Sequence, residues 1–220
     1  MAIFGGEPLL AALGEQDRDA LLGLGSDRTY RADERILGQG DPDTFVVAII
    51  SGWTVVSGDA DNGRSVIFGL CGPMDVIGEL AAFDGGPRSA TVTALVPVRA
   101  RLLTGREFHA YLNDHPRAYA AVARSLASRL RAADDQSQDM ATLPVVRRLA
   151  RLLLDLDGTG SRVEAAARLT QQELAAAIGA SREAVAKALA DLRARGVVRT
   201  SDRRIVVADR QALQAIAQLQ

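Results

Sequence analysis

Residues that carry covalent or metal chemistry are scarce in this chain. Of 220 residues one is cysteine, Cys71, and two are histidine, His109 and His115. A single cysteine can form neither an internal disulfide nor a multi-thiolate metal site. Two histidines offer little acid–base chemistry, and no nucleophile–base arrangement, metal-ligand spacing or P-loop occurs. These absences disfavour an enzyme, and no metal is expected. No run of about eighteen apolar residues is present, which argues against a membrane span. The opening MAIFGGEPLL lacks a basic region followed by a long apolar stretch, so no secretory signal is read and a cytoplasmic protein is expected.

What the chain does have is an ordinary globular balance, 48% hydrophobic and 24% charged, with an uneven charge distribution behind a net −1. Residues 145–220 hold 13 Arg and Lys against 8 Asp and Glu, whereas residues 1–144 hold 13 against 19. A modestly basic final third fits a nucleic-acid contact surface.

Periodicity divides the chain into three zones. After a helical start expected from Pro8 to Leu24, the segment to about residue 103 is rich in Val, Ile and Thr and broken by Gly, Asp and Pro. FVVAII, WTVV and SVIFGL read as strands, with turns at Ser51-Gly52 and Gly58–Gly63. In VRARLL, Val98, Ala100 and Leu102 alternate with Arg99 and Arg101, a strand with one wet face. Short strands at close spacing indicate a small barrel or sandwich. At Thr104 the character changes: Thr104 and Glu107 form a capping box, and a helix is expected to about Met140, interrupted at Pro116. Tyr119, Val122, Leu126, Leu130 and Ala133 recur at near-heptad spacing, flanked by Arg124, Arg129 and Arg131. Such a narrow stripe suits pairing with a second copy of the helix. Leu143-Pro144 should end it, and a further helix is expected from Val145 to Leu156.

The stretch from Leu169 to Val198 is the most informative. Thr170 and Glu173 form a second capping box, opening a helix whose inward face is Leu174, Ala175 and Ile178. Gly179 permits a reversal, and Ser181 caps a second helix with Val185, Leu189 and Leu192 on one face. Arg182, Glu183, Ala186 and Lys187 are left off that face. This is the pattern of a helix-turn-helix, and RGVVRTSDRRIVVAD adds two short strands that read as a wing. Arg182 and Lys187 can donate to guanine O6 and N7, and Glu183 can accept from cytosine N4. Thr170, Gln172, Arg203 and Arg204 are placed to touch phosphate.

Between Val76 and Val92 a Gly-Gly-Pro turn joins Gly78-Glu79-Leu80 to Arg88-Ser89-Ala90. Gly78 lets backbone N–H groups turn toward an anion. Arg88 supplies a fork of donors to a phosphate, Ser89 another, and Glu79 can accept from a ribose hydroxyl.

GELAAFDGGPRSA resembles the phosphate-binding cassette of cyclic-nucleotide-binding domains, and SREAVAKALADL resembles the DNA-reading helix of the cyclic-AMP receptor protein/FNR family. The resemblance covers almost the whole chain in order. It implies an α+β architecture: an N-terminal cyclic-nucleotide-binding-type β-roll (a jelly roll) over 1–103, a long dimerisation helix and hinge over 104–143, and a C-terminal winged helix-turn-helix over 144–220. It further implies an allosteric, homodimeric transcription regulator that binds a palindromic double-stranded DNA site, with RNA polymerase as a partner. Gly78, Glu79, Leu80, Arg88 and Ser89 would bind the cyclic phosphate and ribose, while Ser181, Arg182, Glu183 and Lys187 would face the DNA. Where the receptor protein has a Thr-Ser pair on the dimer helix, this chain has Ala133 and Asp134. The Asp134 carboxylate could accept from guanine N1–H and N2–H, which places cyclic GMP beside cyclic AMP as an effector. The cysteine cluster of iron–sulfur members is absent. Two rivals share parts of this pattern: a kinase-type regulatory subunit, which would share the cassette but not the wing, and a family member with a non-functional cassette that binds DNA constitutively, its pocket filled by its own side chains, or senses another ligand.

Overall fold

The computed structural model describes residues 7–59, 65–157, 169–201 and 204–218, the side chains of 200, 201 and 204 excepted. These residues form two compact units, one carrying 7–59 and 68–130, the other 131–157, 169–201 and 204–218 with the short stretch 65–67.

The first unit is a two-sheet antiparallel barrel. Helix α1 (Glu15–Leu22) precedes β1 (Ser26–Tyr30), β2 (Arg35–Leu37), β3 (Val46–Ser51), β4 (Thr54–Asp59), β5 (Ser65–Cys71) and β6 (Val76–Ile77). A short helix α2 (Glu79–Asp84) leads to β7 (Thr91–Ala94) and β8 (Val98–Leu103). The sheets run β1-β8-β3-β6 and β2-β7-β4-β5. Val47 faces Leu102 and Ile49 faces Ala100 across β3 and β8, with a register shift before Ser51. Val46 and Ala48 point into one apolar cluster and Val47 and Ile49 into the other, so β3 is buried on both faces. That explains why FVVAII is an unbroken apolar run rather than an alternating one.

The expected opening helix is shorter than its pattern. Pro8 to Ala12 make turns, with Pro8 O accepting from Ala11 N and Ala12 N. Gly14 is extended at φ −62°, ψ 155° and starts the helix only at Glu15. Leu9, Leu10 and Leu13 nevertheless bury their side chains in the core, so they give an apolar signal without forming a regular helix.

Thr104 opens α3 (Gly105–Asp114) with both hydrogen bonds of the capping box formed. The long helix α4 (Pro116–Thr142) follows after one non-helical residue, His115. Its apolar stripe is divided. Val122 lies in the barrel's own core and Leu126 packs partly against it, whereas Tyr119, Leu130 and Ala133 are exposed, Leu130 at 65%. The reading of all five as a pairing seam is corrected for Val122, which packs on its own barrel.

The second unit contains the end of α4, then α5 (Val145–Leu156), α6 (Gln171–Ala177), α7 (Arg182–Ala194), the antiparallel pair β9 (Val198–Ser201) and β10 (Arg204–Val207), and α8 (Arg210–Gln218). Pro144 sits at the N-cap of α5. Asp139 near the end of α4 holds Arg151 of α5 through both carboxylate oxygens at 2.5 and 2.6 Å.

Candidate nucleotide cavity and DNA-reading face

The candidate ligand site is built on the turn between β6 and α2. Gly78 adopts φ +82°, and a Cβ there would meet Phe45 O at 2.8 Å and Arg88 Nη1 at 2.6 Å. Only glycine fits that backbone and that approach. The turn and the returning strand β7 line an open cavity of about 330 Å³, at the lower end of the range for small-ligand pockets. Gly78, Glu79, Leu80, Arg88 and Ser89 all line it.

Two of these residues are ionisable yet almost fully buried, Glu79 at 4% and Arg88 at 3% exposure. Buried charges persist only when paired and hydrogen-bonded. The Arg88 backbone is pinned to the β2–β3 loop, its N–H donating to Asp41 O and its carbonyl accepting from Gly40 N. Its guanidinium donates from Nε to Asp43 Oδ1 at 2.6 Å, from Nη1 to Gly78 O at 2.8 Å and from Nη2 to Phe45 O at 2.5 Å. Nη2 also lies 2.5 Å from Asp43 Oδ1, and the group stacks over the Phe45 ring at 4.7 Å. The fork is thereby fixed in place at the edge of the cavity.

Glu79 Oε1 accepts from Arg129 Nη1 at 2.6 Å, and Arg129 Nη2 donates to Val76 O at 3.3 Å. Burial works against the charge of Arg129, but Glu79, with Cys71 and Asp75, outweighs it, and its pKa lies above the usual guanidinium value. The heptad pattern marks Arg129 only as a polar flank of the apolar stripe; the structure places it in the cavity wall. Its pairing spans 50 residues, which local pattern cannot show. Asp43 was likewise missed. Asp134 is five residues beyond Arg129 on α4 and belongs to the second unit.

In that unit the core of the helix-turn-helix is Leu174, Ala175, Ile178, Val185, Leu189 and Leu192, all buried. Gly179 turns at φ +60°. Gln172, Arg182, Glu183 and Lys187 are exposed. Ser181 Oγ accepts from Ala184 N and so caps α7. The Glu183 carboxyl is held below the usual range by its own backbone N–H, then by Ser181 and Arg182, and stays ionised as an acceptor. The Thr170 hydroxyl is engaged inside its capping box, donating to Glu173 Oε2 at 2.8 Å and accepting from Glu173 N. The Thr170 backbone N–H also donates to Glu173 Oε2, at 2.6 Å, so a phosphate contact from this residue needs the loss of one of these bonds. The two wing strands form as expected; Arg204 begins β10, and Arg203 lies outside the described residues. Among the described residues no group of three or more His, Cys, Asp and Glu could hold a metal, and no helix is long and apolar enough to cross a membrane.

A jelly-roll barrel carrying buried Glu79 and Arg88 beside a cavity, together with a winged helix-turn-helix, is the architecture of a two-domain DNA-binding regulator. Residues 27–115 match the cyclic nucleotide-binding domain and residues 147–216 the Crp-like helix-turn-helix domain. The chain belongs to the CRP/FNR family of DNA-binding transcription regulators. It is 34% identical over 183 residues to the CRP-like cAMP-activated global transcriptional regulator of Mycobacterium tuberculosis, covering 81% of this chain and 82% of that protein. It is 29% identical to the cyclic AMP receptor protein of Thermus thermophilus, over 96% of this chain and 97% of that one. The structure of FixK2 from Bradyrhizobium japonicum shares the fold at a TM-score of 0.77 and 22% identity, covering 90% of this chain and 99% of that chain. The Mycobacterium tuberculosis relative is named a transcriptional regulator, a non-enzymatic class.

Proposed function

We propose that this regulator is switched by a cyclic nucleotide, cyclic AMP or cyclic GMP, held in the barrel cavity against α4. Arg88 and Ser89 receive the cyclic phosphate at the Gly78 turn, and Glu79 accepts from the ribose hydroxyl. Leu80 covers the sugar, and Asp134 reads the base. The observation that carries this reading is the pair of buried charges, Glu79 and Arg88, at the wall of an open cavity of about 330 Å³. A cavity of ligand size into which a few charged groups converge is the default place for a polar ligand to bind.

The chain works as a homodimer through the exposed part of α4, with residues 1–103 sensing, 104–143 pairing and 144–220 binding DNA. The exposed Leu130 and Tyr119 supply the apolar surface for that pairing. Binding biases one arrangement of the paired helices, which requires unequal affinity for the two arrangements. The two reading helices then enter successive major grooves of a palindromic site about 34 Å apart. Arg182, Glu183 and Lys187 read bases, Ser181, Thr170 and Gln172 sit along the backbone, and Arg203 and Arg204 reach phosphate from the wing. RNA polymerase is the partner at the promoter.

Calorimetric titration with cyclic AMP and cyclic GMP, repeated on Arg88→Ala, tests the sensing claim. Saturable binding that the variant loses supports it, and the preferred nucleotide reports on Asp134. Absence of heat and of any thermal shift with both nucleotides would refute it. The constitutive reading calls for a pocket filled by the chain's own side chains, and the open cavity weighs against it.

A further inference from the structure

Away from its charged end the cavity wall is apolar, and among the described residues that line it Phe68 is the only aromatic. Phe68 lies on β5, yet half of its surface (50%) remains exposed, a costly placement for so large an apolar side chain. The neighbouring strand β4 offers it Gly58. A Cβ at Gly58 would fall 2.6 Å from Phe68 Cε2 and Cζ, so the outer edge of the ring rests on the Gly58 backbone. Glycine inside a strand often marks such a close approach. Gly58 therefore acts as a floor that fixes the ring tip, while the rest of the ring stays in the cavity wall. A π surface seated on that floor, in the same cavity as the Gly78 turn, suits a nucleobase whose phosphate is anchored at that turn, because every base presents a stacking face.

We infer that Phe68 stacks on the base of the bound nucleotide and makes the site favour purines over pyrimidines. The larger bicyclic ring overlaps more of the phenyl face and buries more apolar surface. This inference rests on the cyclic-nucleotide reading above and adds a specificity residue to it. Hydrogen bonding elsewhere selects which purine is bound; Phe68 supplies the affinity common to both.

The test is calorimetric titration of the 220-residue chain, unaltered and as Phe68→Ala and Phe68→Trp. The ligands are cyclic AMP, cyclic UMP and the abasic ribose 3′,5′-cyclic phosphate. Loss of one stacked base corresponds to a weakening of about tenfold. Phe68→Ala should lose that factor for cyclic AMP, lose less for cyclic UMP, and bind the abasic ligand as the unaltered chain does. The unchanged abasic affinity also reports that the variant is folded. Phe68→Trp should restore the cyclic AMP affinity. Undiminished cyclic AMP binding by Phe68→Ala, or an equal loss for the abasic ligand, would overturn the stacking role and leave the ring as a wall only. If the unaltered chain binds none of the three, the sensing function itself fails and this inference falls with it.

Discussion

Arg129 Nη1 lies 2.6 Å from Glu79 Oε1, joining the long helix to the first turn of the cassette helix. Glu79 is buried and Arg129 only partly so. Removing the arginine leaves a buried carboxylate without its counterion, the costly way to break such a pair. Arg129→Ala should lower the stability of the barrel by roughly 1–3 kcal/mol, the smaller side being set by the solvent access of the arginine. Arg129→Ala combined with Glu79→Gln should recover part of that loss. Urea unfolding of the two variants measures both; equal destabilisation by the single and double changes would contradict the pairing argument.

Asp43 is the counterion of Arg88. Its carboxylate is about two-fifths exposed, while the guanidinium is buried and also held by the carbonyls of Phe45 and Gly78. Orientation of the fork thus survives the loss of Asp43, but its charge does not stay compensated. Asp43→Asn should therefore destabilise the free protein modestly and tighten cyclic-nucleotide binding by roughly threefold to tenfold, since phosphate becomes the main counterion. Thermal unfolding with and without nucleotide separates the two effects. Weaker binding in the variant would show that Asp43 orients Arg88 rather than competing with the ligand for it.

These two pairs also mark the limit of what the chain discloses without coordinates. Thr104 with Glu107 and Thr170 with Glu173 were legible because a capping box is written within four residues. The Gly78 turn and the Gly179 reversal were legible because a positive φ selects glycine. Arg129 and Asp43 were not, because their partners are 50 and 45 residues away and no local pattern encodes a tertiary ion pair. Val122 was misassigned for a related reason. Core packing and helix pairing demand the same apolar spacing, and only the structure shows which residues the barrel itself takes. At the start of the chain, Leu9, Leu10 and Leu13 carry core-facing apolar side chains in turns, so burial and helix were conflated.

Tyr111 supplies a pH-dependent prediction. Its hydroxyl donates to Asp17 O at 2.8 Å, tying α3 to α1. Burial, and after it the charge of Asp17, push its pKa from 10.0 up to about 12. The folded state thus keeps a proton that the unfolded state loses first. The resulting stabilisation is complete below pH 10 and fades as the pH rises toward about 12. Tyr111→Phe should cost about 1 kcal/mol at neutral pH and should flatten the decline in stability across that alkaline window. An unchanged alkaline decline in the variant would assign it to other groups.

Comparing duplexes separates the base-reading role proposed for α7 from the backbone contacts proposed for its neighbours. Arg182 and Lys187 are exposed while Val185, Leu189 and Leu192 hold the helix in place, so truncating either should leave the fold intact. If they donate to guanine edges, Arg182→Ala and Lys187→Ala should each cost roughly 1–3 kcal/mol on the specific site and relax the base preference there. Gln172, exposed on the first turn of α6, should behave differently. A backbone contact carries no sequence information, so Gln172→Ala should weaken specific and scrambled duplexes alike. Fluorescence anisotropy on a selected palindrome and its scrambled counterpart, at two salt concentrations, gives the comparison. Equal weakening of both duplexes by Arg182→Ala and Lys187→Ala, with a reduced salt dependence, would move these two side chains from the bases to the phosphates.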